Sequence, residues 1–128
     1  MKIYFVEFTH KQTGKKFYKF GITKYGDVMK RFSKEESIRF KNDPEQYDDF
    51  NIRVIASAWN EYEQVYEQEK ILLKKYPKNI WVEEYLGVAD KTYKFSGVTE
   101  CVSLTQDQVV EARKYMYNLR EEWGNDKH

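Results

Sequence analysis

Four residues whose side chains suit phosphodiester chemistry are spread along this chain. Tyr4 lies in the first apolar segment, Lys19 in the second, Arg31 in a following amphipathic segment and Glu69 on the apolar face of a later one. Glutamate oxygens are hard ligands for a cation such as Mg²⁺, and a planar guanidinium neutralises phosphate charge. A tyrosine and a lysine on neighbouring strands are suited to activating a water molecule. Together these residues predict a metal-assisted phosphodiester site.

The composition is that of a soluble globular protein built as one domain. The chain has 128 residues, of which 41% are hydrophobic, 17% aromatic and 34% charged. Cys101 is the single cysteine, so no intramolecular disulfide is expected, and no Cys/His cluster has zinc-site spacing. Glu7 comes too early for a signal sequence and no long apolar run follows. We therefore expect a cytoplasmic protein without a membrane span.

The net charge of +1 conceals a marked asymmetry along the chain. Residues 1–34 carry nine Lys/Arg and two acidic residues, residues 35–69 carry three and ten, and residues 70–128 carry ten and nine. The basic excess coincides with three of the four candidate residues. It indicates either a Lys-rich hairpin that faces water or a surface that faces phosphate, and the sequence leaves both interpretations open.

Three segments read as strands. Residues 2–9 alternate between two sets of side chains that are both partly apolar, which is a strand signal. The turn at residues 12–15 contains Gly14, and Lys16–Thr23 is rich in aromatic and β-branched residues, which predicts an antiparallel hairpin. Gly21 marks a bulge or a close approach of another group. Phe50–Trp59 is the most continuously apolar segment, so we expect a third strand at the centre of the sheet.

Three segments read as helices. Asp27 is placed to cap a first helix that continues to Ile38, and Asn60 with Glu63 resembles a capping pair for a second that Pro77 ends. Thr105 begins a last helix that ends near Gly124. In the second helix an apolar stripe repeats at helical spacing and includes Glu69; its other members are Tyr62, Val65, Tyr66, Leu72, Leu73 and Tyr76.

The predicted fold class is α+β. We expect a small antiparallel or mixed three-stranded sheet flanked by helices, with a ββαβα core and a C-terminal helix. Residues 1–104 form the domain, and residues 105–124 form a C-terminal packing helix of the same domain. Between them, Trp81, Val82, Tyr85 and Leu86 are candidates to cap the core, residues 87–91 a turn and residues 93–104 a short strand. His10 and His128 have no companions that suit metal binding, so we expect surface positions.

Glu69 is the most informative of the candidate residues, because an ionised acid on a core-facing stripe needs a partner. That partner is a bound metal ion, the Arg31 guanidinium in a structural ion pair, or water reached at the edge of the helix. The other candidate residues favour the metal.

The order of elements and two short motifs resemble the GIY-YIG nuclease superfamily over residues 2–76 and on to about residue 104. The motifs are Lys2-Ile3-Tyr4 in the first strand and Lys19-Phe20-Gly21 in the second. Residues 100–104 are similar to a segment that follows the core in the phage and mobile-element branch. That branch commonly has Lys-Ile-Gly as its second motif, so Lys19 is a tolerated variation.

The resemblance implies a DNA endonuclease that uses one divalent metal ion, Mg²⁺ or Mn²⁺. In that superfamily the matching positions make Glu69 the metal ligand, while Tyr4 helps to deprotonate water and Lys19 stabilises its phenolate. Arg31 would hold the scissile phosphate. The chain departs from the family pattern at Lys2, which replaces a glycine, and at Glu35, where relatives often have His or Tyr.

Three functions remain open at this point. The first is a small Mg²⁺-dependent DNA endonuclease without a separate DNA-reading module. The second is a catalytically degenerate relative that binds nucleic acid through the basic hairpin. The third is a protein-binding module, such as a phage-type interference factor, that uses its tyrosines as anchors.

Overall fold

The computed structural model describes residues 1–77 and 100–125. Within these ranges the chain forms four strands, three α-helices and one short 3₁₀ helix. In chain order they are β1 (Lys2–His10), β2 (Lys16–Thr23), the 3₁₀ helix (Val28–Phe32), α1 (Lys34–Arg39), β3 (Phe50–Trp59), α2 (Tyr62–Lys75), β4 (Cys101–Val102) and α3 (Gln106–Glu122).

The strands form one antiparallel sheet in the order β3-β1-β2-β4. The α+β class and the C-terminal helix are confirmed, but the prediction of three strands was wrong, because Cys101–Val102 pairs with β2 as a fourth. The prediction that β3 is central was also wrong, since β1 pairs with both β2 and β3. The apolar content of β3 is explained by α3, which packs against it.

The β1–β2 hairpin has the predicted turn. Gly14 adopts a φ of +71°, which favours glycine, and its N–H donates to the His10 carbonyl at 2.8 Å. The register pairs Tyr4 with Gly21 and Val6 with Lys19. Alternation along the strands therefore places Tyr4, Lys19 and Gly21 on the same face of the sheet.

The first predicted helix is two helices. Asp27 caps only the 3₁₀ helix, by accepting from the Met29 N–H at 3.0 Å. Ser33 then leaves helical geometry and starts α1, because its hydroxyl accepts from the Glu36 N–H at 3.2 Å. The apolar spacing continues across Ser33, so the sequence pattern predicts one helix, but the serine caps α1 and separates it from the 3₁₀ helix.

The ends of the two long helices differ in how well the sequence predicts them. The prediction that Asn60 and Glu63 cap α2 was wrong. Glu61 is the N-cap of α2, and the Asn60 side chain accepts a hydrogen bond from the Glu61 N–H at 2.7 Å. The predicted start of α3 at Thr105 is confirmed, and Thr105 and Gln108 form a capping box there. A reciprocal pair of hydrogen bonds needs both residue types, and only the second site has them.

Two clusters of buried side chains lie on opposite faces of the sheet. One joins the sheet to α2 and α3 and includes Ile3, Phe5, Phe20, Val65, Leu72 and Met116. The other lies beneath the 3₁₀ helix and includes Tyr4, Val6, Phe8, Phe17, Phe32 and Phe50. His10 is buried beside Phe50 and its Nδ1 lies 3.0 Å from the Thr13 hydroxyl, so the prediction of a surface histidine was wrong.

Several predictions concern positions outside the described residues. These are the core-capping group at residues 81–86, the turn at 87–91, the first part of the strand at 93–104, and His128. Of the helices in residues 1–77 and 100–125, none has the length and apolar character needed to cross a membrane.

Gly21 determines where the Tyr4 ring can lie. A Cβ atom built on Gly21 would fall 2.2 Å from the Tyr4 hydroxyl oxygen and 2.3 Å from Cζ, so the predicted close approach is confirmed. The bulge of the sheet lies elsewhere, between Phe5 and Val6 on the side that faces β3.

We expect Gly21→Ala to lower the free energy of unfolding by roughly 1–3 kcal/mol, because the buried Tyr4 ring has to move. Most of that loss should disappear in a Tyr4→Ala background, where the added methyl meets no ring. Denaturant titrations of the four proteins in this cycle measure the coupling. Gly26→Ala is the control, because its Cβ would meet nothing within 4 Å. Equal losses at positions 21 and 26 would contradict the expectation.

Candidate active site

The structure brings all four candidate residues to one cavity of about 310 Å³. Tyr4 comes from β1, Lys19 from β2, Arg31 from the 3₁₀ helix and Glu69 from α2. The remaining lining residues are Met1, Ile22, Tyr62, Tyr66 and Glu100. Side chains that are distant in the sequence therefore meet in one place, as the sequence analysis predicts.

Tyr4 and Lys19 form the floor of this cavity. The Lys19 Nζ donates a hydrogen bond of 2.6 Å to the Tyr4 hydroxyl. The two residues are 0% and 1% exposed, and the edge of the Phe32 ring packs against Tyr4 with 5.7 Å between ring centroids. The ammonium also lies 5.1 Å from the Tyr4 ring centroid and 5.6 Å from that of Phe32. The Tyr4 phenol oxygen and the Phe32 ring thus lie next to a buried cation.

Glu100 completes the environment of the Lys19 ammonium. One of its carboxylate oxygens lies 3.3 Å from the Lys19 Nζ, and its side chain is partly exposed at the rim of the cavity. Burial lowers the pKa of Lys19, but the nearby oxygens of Tyr4 and Glu100 outweigh burial and the net pKa is raised. Lys19 therefore stays charged in spite of its burial.

Glu69 is a buried carboxylate on the inner face of α2. It is 9% exposed and lies between the buried residues Val65 and Leu72. Burial, followed by the charge of Glu100, raises the pKa of Glu69 to about 7, although Lys19 opposes the shift. The predicted alternative of a structural ion pair with Arg31 is not observed, since among residues 1–77 and 100–125 no salt bridge joins the two side chains.

Arg31 lies at the edge of the cavity, in the last turn of the 3₁₀ helix. Burial raises the pKa of the nearby Tyr47 hydroxyl, while the positive charges of Lys19 and Arg31 oppose the rise. The Arg31 side chain is half-buried and lines the cavity. Such an arginine has donors left for an incoming anion.

Comparisons with models of protein families, with curated proteins and with solved structures give no match. The geometry therefore carries the functional argument.

The two positions that depart from the family pattern do not obstruct the cavity. Glu35 is exposed in the first turn of α1 and is not among the residues that line the cavity. The Lys2 Nζ donates to the Gly26 carbonyl at 2.6 Å, and its side chain lines a separate cavity of about 540 Å³ with Trp59 and Arg120. An acidic residue at position 35 thus adds no carboxylate to the site.

Three residues of the site were not predicted from the sequence: Glu100, Tyr62 and Tyr66. Glu100 was noted only as part of a segment similar to the phage branch, although an acid directly before the apolar pair Cys101-Val102 is a usable signal. The two tyrosines were assigned to the core stripe of α2, whereas they are 53% and 42% exposed and line the cavity. Helical spacing shows which residues share one face of a helix, but it does not show which part of that face stays exposed to solvent.

The donor atoms of the cavity fit a divalent cation such as Mg²⁺. Two carboxylates, from Glu69 and Glu100, line one cavity. Burial and repulsion from Glu100 raise the pKa of Glu69, and a bound cation would offset both effects by stabilising the ionised carboxylate. Within the described residues no group of three or more His, Cys, Asp or Glu side chains is placed to hold a metal. Two carboxylates are sufficient for Mg²⁺, because this ion usually keeps several of its waters.

Stability should fall with rising pH because of Glu69. Its pKa is about 7 in the folded protein against 4.5 as the ordinary value, so the folded state binds more protons than the unfolded state between these values. Since one pKa unit corresponds to about 1.4 kcal/mol, we expect the wild type to lose on the order of 2 kcal/mol more than Glu69→Gln between about pH 5 and pH 8.

Denaturant unfolding at the two pH values, without divalent metal, measures this difference. Glu67→Gln is the matched control, because Glu67 is exposed on the same helix and should leave the wild-type pH dependence unchanged. If Glu69→Gln and the wild type have the same pH dependence, Glu69 is not the source of the effect.

Proposed function

We propose that this chain is a divalent-metal-dependent DNA endonuclease of the GIY-YIG type, which hydrolyses phosphodiester bonds. The observation that carries the proposal is the meeting of Tyr4, Lys19, Arg31 and Glu69 at one cavity, with 2.6 Å between the Tyr4 hydroxyl and the Lys19 ammonium. A phenol, an ammonium, a guanidinium and a carboxylate are the groups that this reaction needs. Their arrival from four different elements makes a chance grouping less plausible than a built site.

Tyr4 acts as the general base for the attacking water in this proposal. A phenol is a poor base unless a cation stabilises its phenolate, and the Lys19 ammonium is held in contact with it. Gly21 leaves room for the Tyr4 ring, and the Phe32 ring packs against it nearly at right angles. The phenol oxygen is therefore held at one position at the floor of the cavity.

Arg31 binds the phosphate that is to be cut. It lies at the rim of the cavity, and a guanidinium contacts two phosphate oxygens at once. Glu69, with Glu100 beside it, would hold the Mg²⁺ or Mn²⁺ ion. When bound, the metal supplies charge stabilisation for the phosphate and for the leaving oxygen.

The proposed reaction is a simple hydrolysis. Tyr4 first loses its own proton to solvent, and the resulting phenolate is stabilised by the Lys19 ammonium. Water then forms a new bond to phosphorus as its proton passes to the phenolate oxygen, and the bond from phosphorus to the ester oxygen breaks. The leaving oxygen takes up a proton from solvent, which yields one phosphate end and one hydroxyl end. Arg31 stabilises the negative charge that spreads over the phosphate oxygens during this step.

A catalytically degenerate binding module is the second candidate. The observation that favours it is that Lys19 already contacts both Tyr4 and Glu100, so these three side chains satisfy one another without a metal or a substrate. A relative of this kind would bind nucleic acid, or a protein partner as a phage-type interference factor does, without cutting. The two candidates differ in one measurable property, which is turnover.

Purified protein should nick or cut supercoiled plasmid in the presence of Mg²⁺ or Mn²⁺. We expect Glu69→Gln, Arg31→Met and Tyr4→Phe each to reduce the rate by roughly 100-fold or more, because each removes a group that acts in the transition state. Agarose gels of timed reactions measure the rate. Glu67→Gln should cut like the wild type. Plasmid that stays intact with both metals, while DNA binding persists and weakens with salt, would favour the degenerate module.

Mg²⁺ should stabilise the folded protein through Glu69. At a concentration about 100 times its dissociation constant, Mg²⁺ should raise the free energy of unfolding at pH 8 by about 2–3 kcal/mol. Glu69→Gln should lose most of this gain, and Glu67→Gln should keep it. Thermal unfolding with and without Mg²⁺ provides the measurement. An equal gain in all three proteins would argue against Glu69 as a ligand.

A further inference from the structure

Two exposed tyrosines stand side by side at the mouth of the cavity. Tyr62 and Tyr66 lie one turn apart on α2 and are 53% and 42% exposed. Their rings are stacked, with 5.6 Å between centroids and an angle of 11° between planes. Both rings line the same cavity as Glu69, which lies on the next turn of the helix. None of the steps of phosphodiester hydrolysis described above uses them.

We infer that Tyr62 and Tyr66 form a stacking platform for an unpaired base of the DNA strand that is cut. The inference rests on the proposed function and narrows it, because it makes single-stranded or locally unpaired DNA the preferred substrate. Bases stack on aromatic side chains whatever their identity, since every base has a π face. The platform therefore selects for an unpaired state and not for a base sequence.

The depth of the reactive groups supports an unpaired substrate. Tyr4 and Lys19 are almost completely buried, and Glu69 is nearly so, which places them below the rim formed by Arg31, Glu100 and the two tyrosines. A single strand can bend a phosphate into such a recess. The backbone of an intact duplex is stiff over a few base pairs, so its phosphates would have to be drawn away from the helix.

The charges around the platform suit the backbone that joins the base to the phosphate. The Lys70 ammonium lies 4.9 Å from the centroid of the Tyr66 ring, and Arg31 lines the same cavity. Since Tyr62 and Lys70 cover the two faces of the Tyr66 ring, the base would stack on the outer face of Tyr62, with Tyr66 supporting that ring from behind. Lys70 and Arg31 would supply cations for the adjoining phosphates. The Glu69 carboxylate lies deeper in the cavity, and the Glu100 carboxylate lies at its rim.

Binding of short fluorescent oligonucleotides in EDTA tests the platform without cleavage. We expect the wild type to bind a 12-nucleotide single strand more tightly than a blunt duplex of the same sequence. Tyr62→Ala and Tyr66→Ala should each weaken single-strand binding by roughly 5- to 100-fold, and the two Phe variants should stay within about threefold of the wild type. Tyr117→Ala is the matched control, because Tyr117 is 40% exposed on α3 and also stands beside arginines.

A 2-aminopurine probe within the single strand reports stacking directly. Its fluorescence should change on binding to the wild type and to the Phe variants, and the change should be lost with the Ala variants. Single-strand binding by Tyr62→Ala and Tyr66→Ala that equals the wild type, or equal binding of duplex and single strand, would overturn the inference. Circular dichroism of each variant checks that a loss of binding is not a loss of fold.

The outcome can be separated from that of the proposed function. Tyrosine-dependent binding of single strands without cleavage in Mg²⁺ or Mn²⁺ would leave the platform standing and overturn the nuclease. Cleavage that prefers intact duplex and is unchanged by the tyrosine variants would leave the nuclease standing and overturn the platform.

Discussion

The buried ammonium of Lys19 is the constraint on which the candidate site depends. An ammonium at 1% exposure is costly unless opposite charge and hydrogen-bond acceptors compensate for the lost water. Here the Tyr4 hydroxyl and the Glu100 carboxylate supply that compensation, from two different parts of the chain. The arrangement holds a phenol and a carboxylate at fixed positions around one cation, which is the requirement of a preorganised polar site.

Strands with strong local signals were predictable from the sequence to the residue. Lys16–Thr23 and Phe50–Trp59 have the predicted bounds because aromatic and β-branched residues fill them. Cys101–Val102 lies within the short strand predicted at residues 93–104, but its bounds and its place in the sheet were not predictable, because two residues have no period and the strand exists through its pairing with β2. The break at Ser33 was hidden for a similar reason, since a polar residue in a helical pattern is ambiguous until its side chain is seen to cap.

The site itself was predictable to a different degree at each residue. Glu69 stands out because an acid on an apolar stripe needs an explanation, and the resemblance to a known family adds Tyr4, Lys19 and Arg31. The burial of Lys19 and the position of Glu100 were not predictable, because both follow from how β4 pairs with β2. Tyr62 and Tyr66 were assigned to the core because nothing local in the sequence shows that their side chains stay exposed.

The order of the charges along the chain has a consequence for how the molecule folds. The hairpin that carries Tyr4 and Lys19 is made of local contacts and can form early. The Lys19 ammonium would then lose water before its partner Glu100, which is much later in the chain, has reached it. Contacts of such high sequence separation form slowly, because loop closure must precede them. The strongly acidic stretch at residues 35–69 follows this basic hairpin directly. Attraction between the two would keep a partly collapsed chain compact while the last carboxylate is brought in.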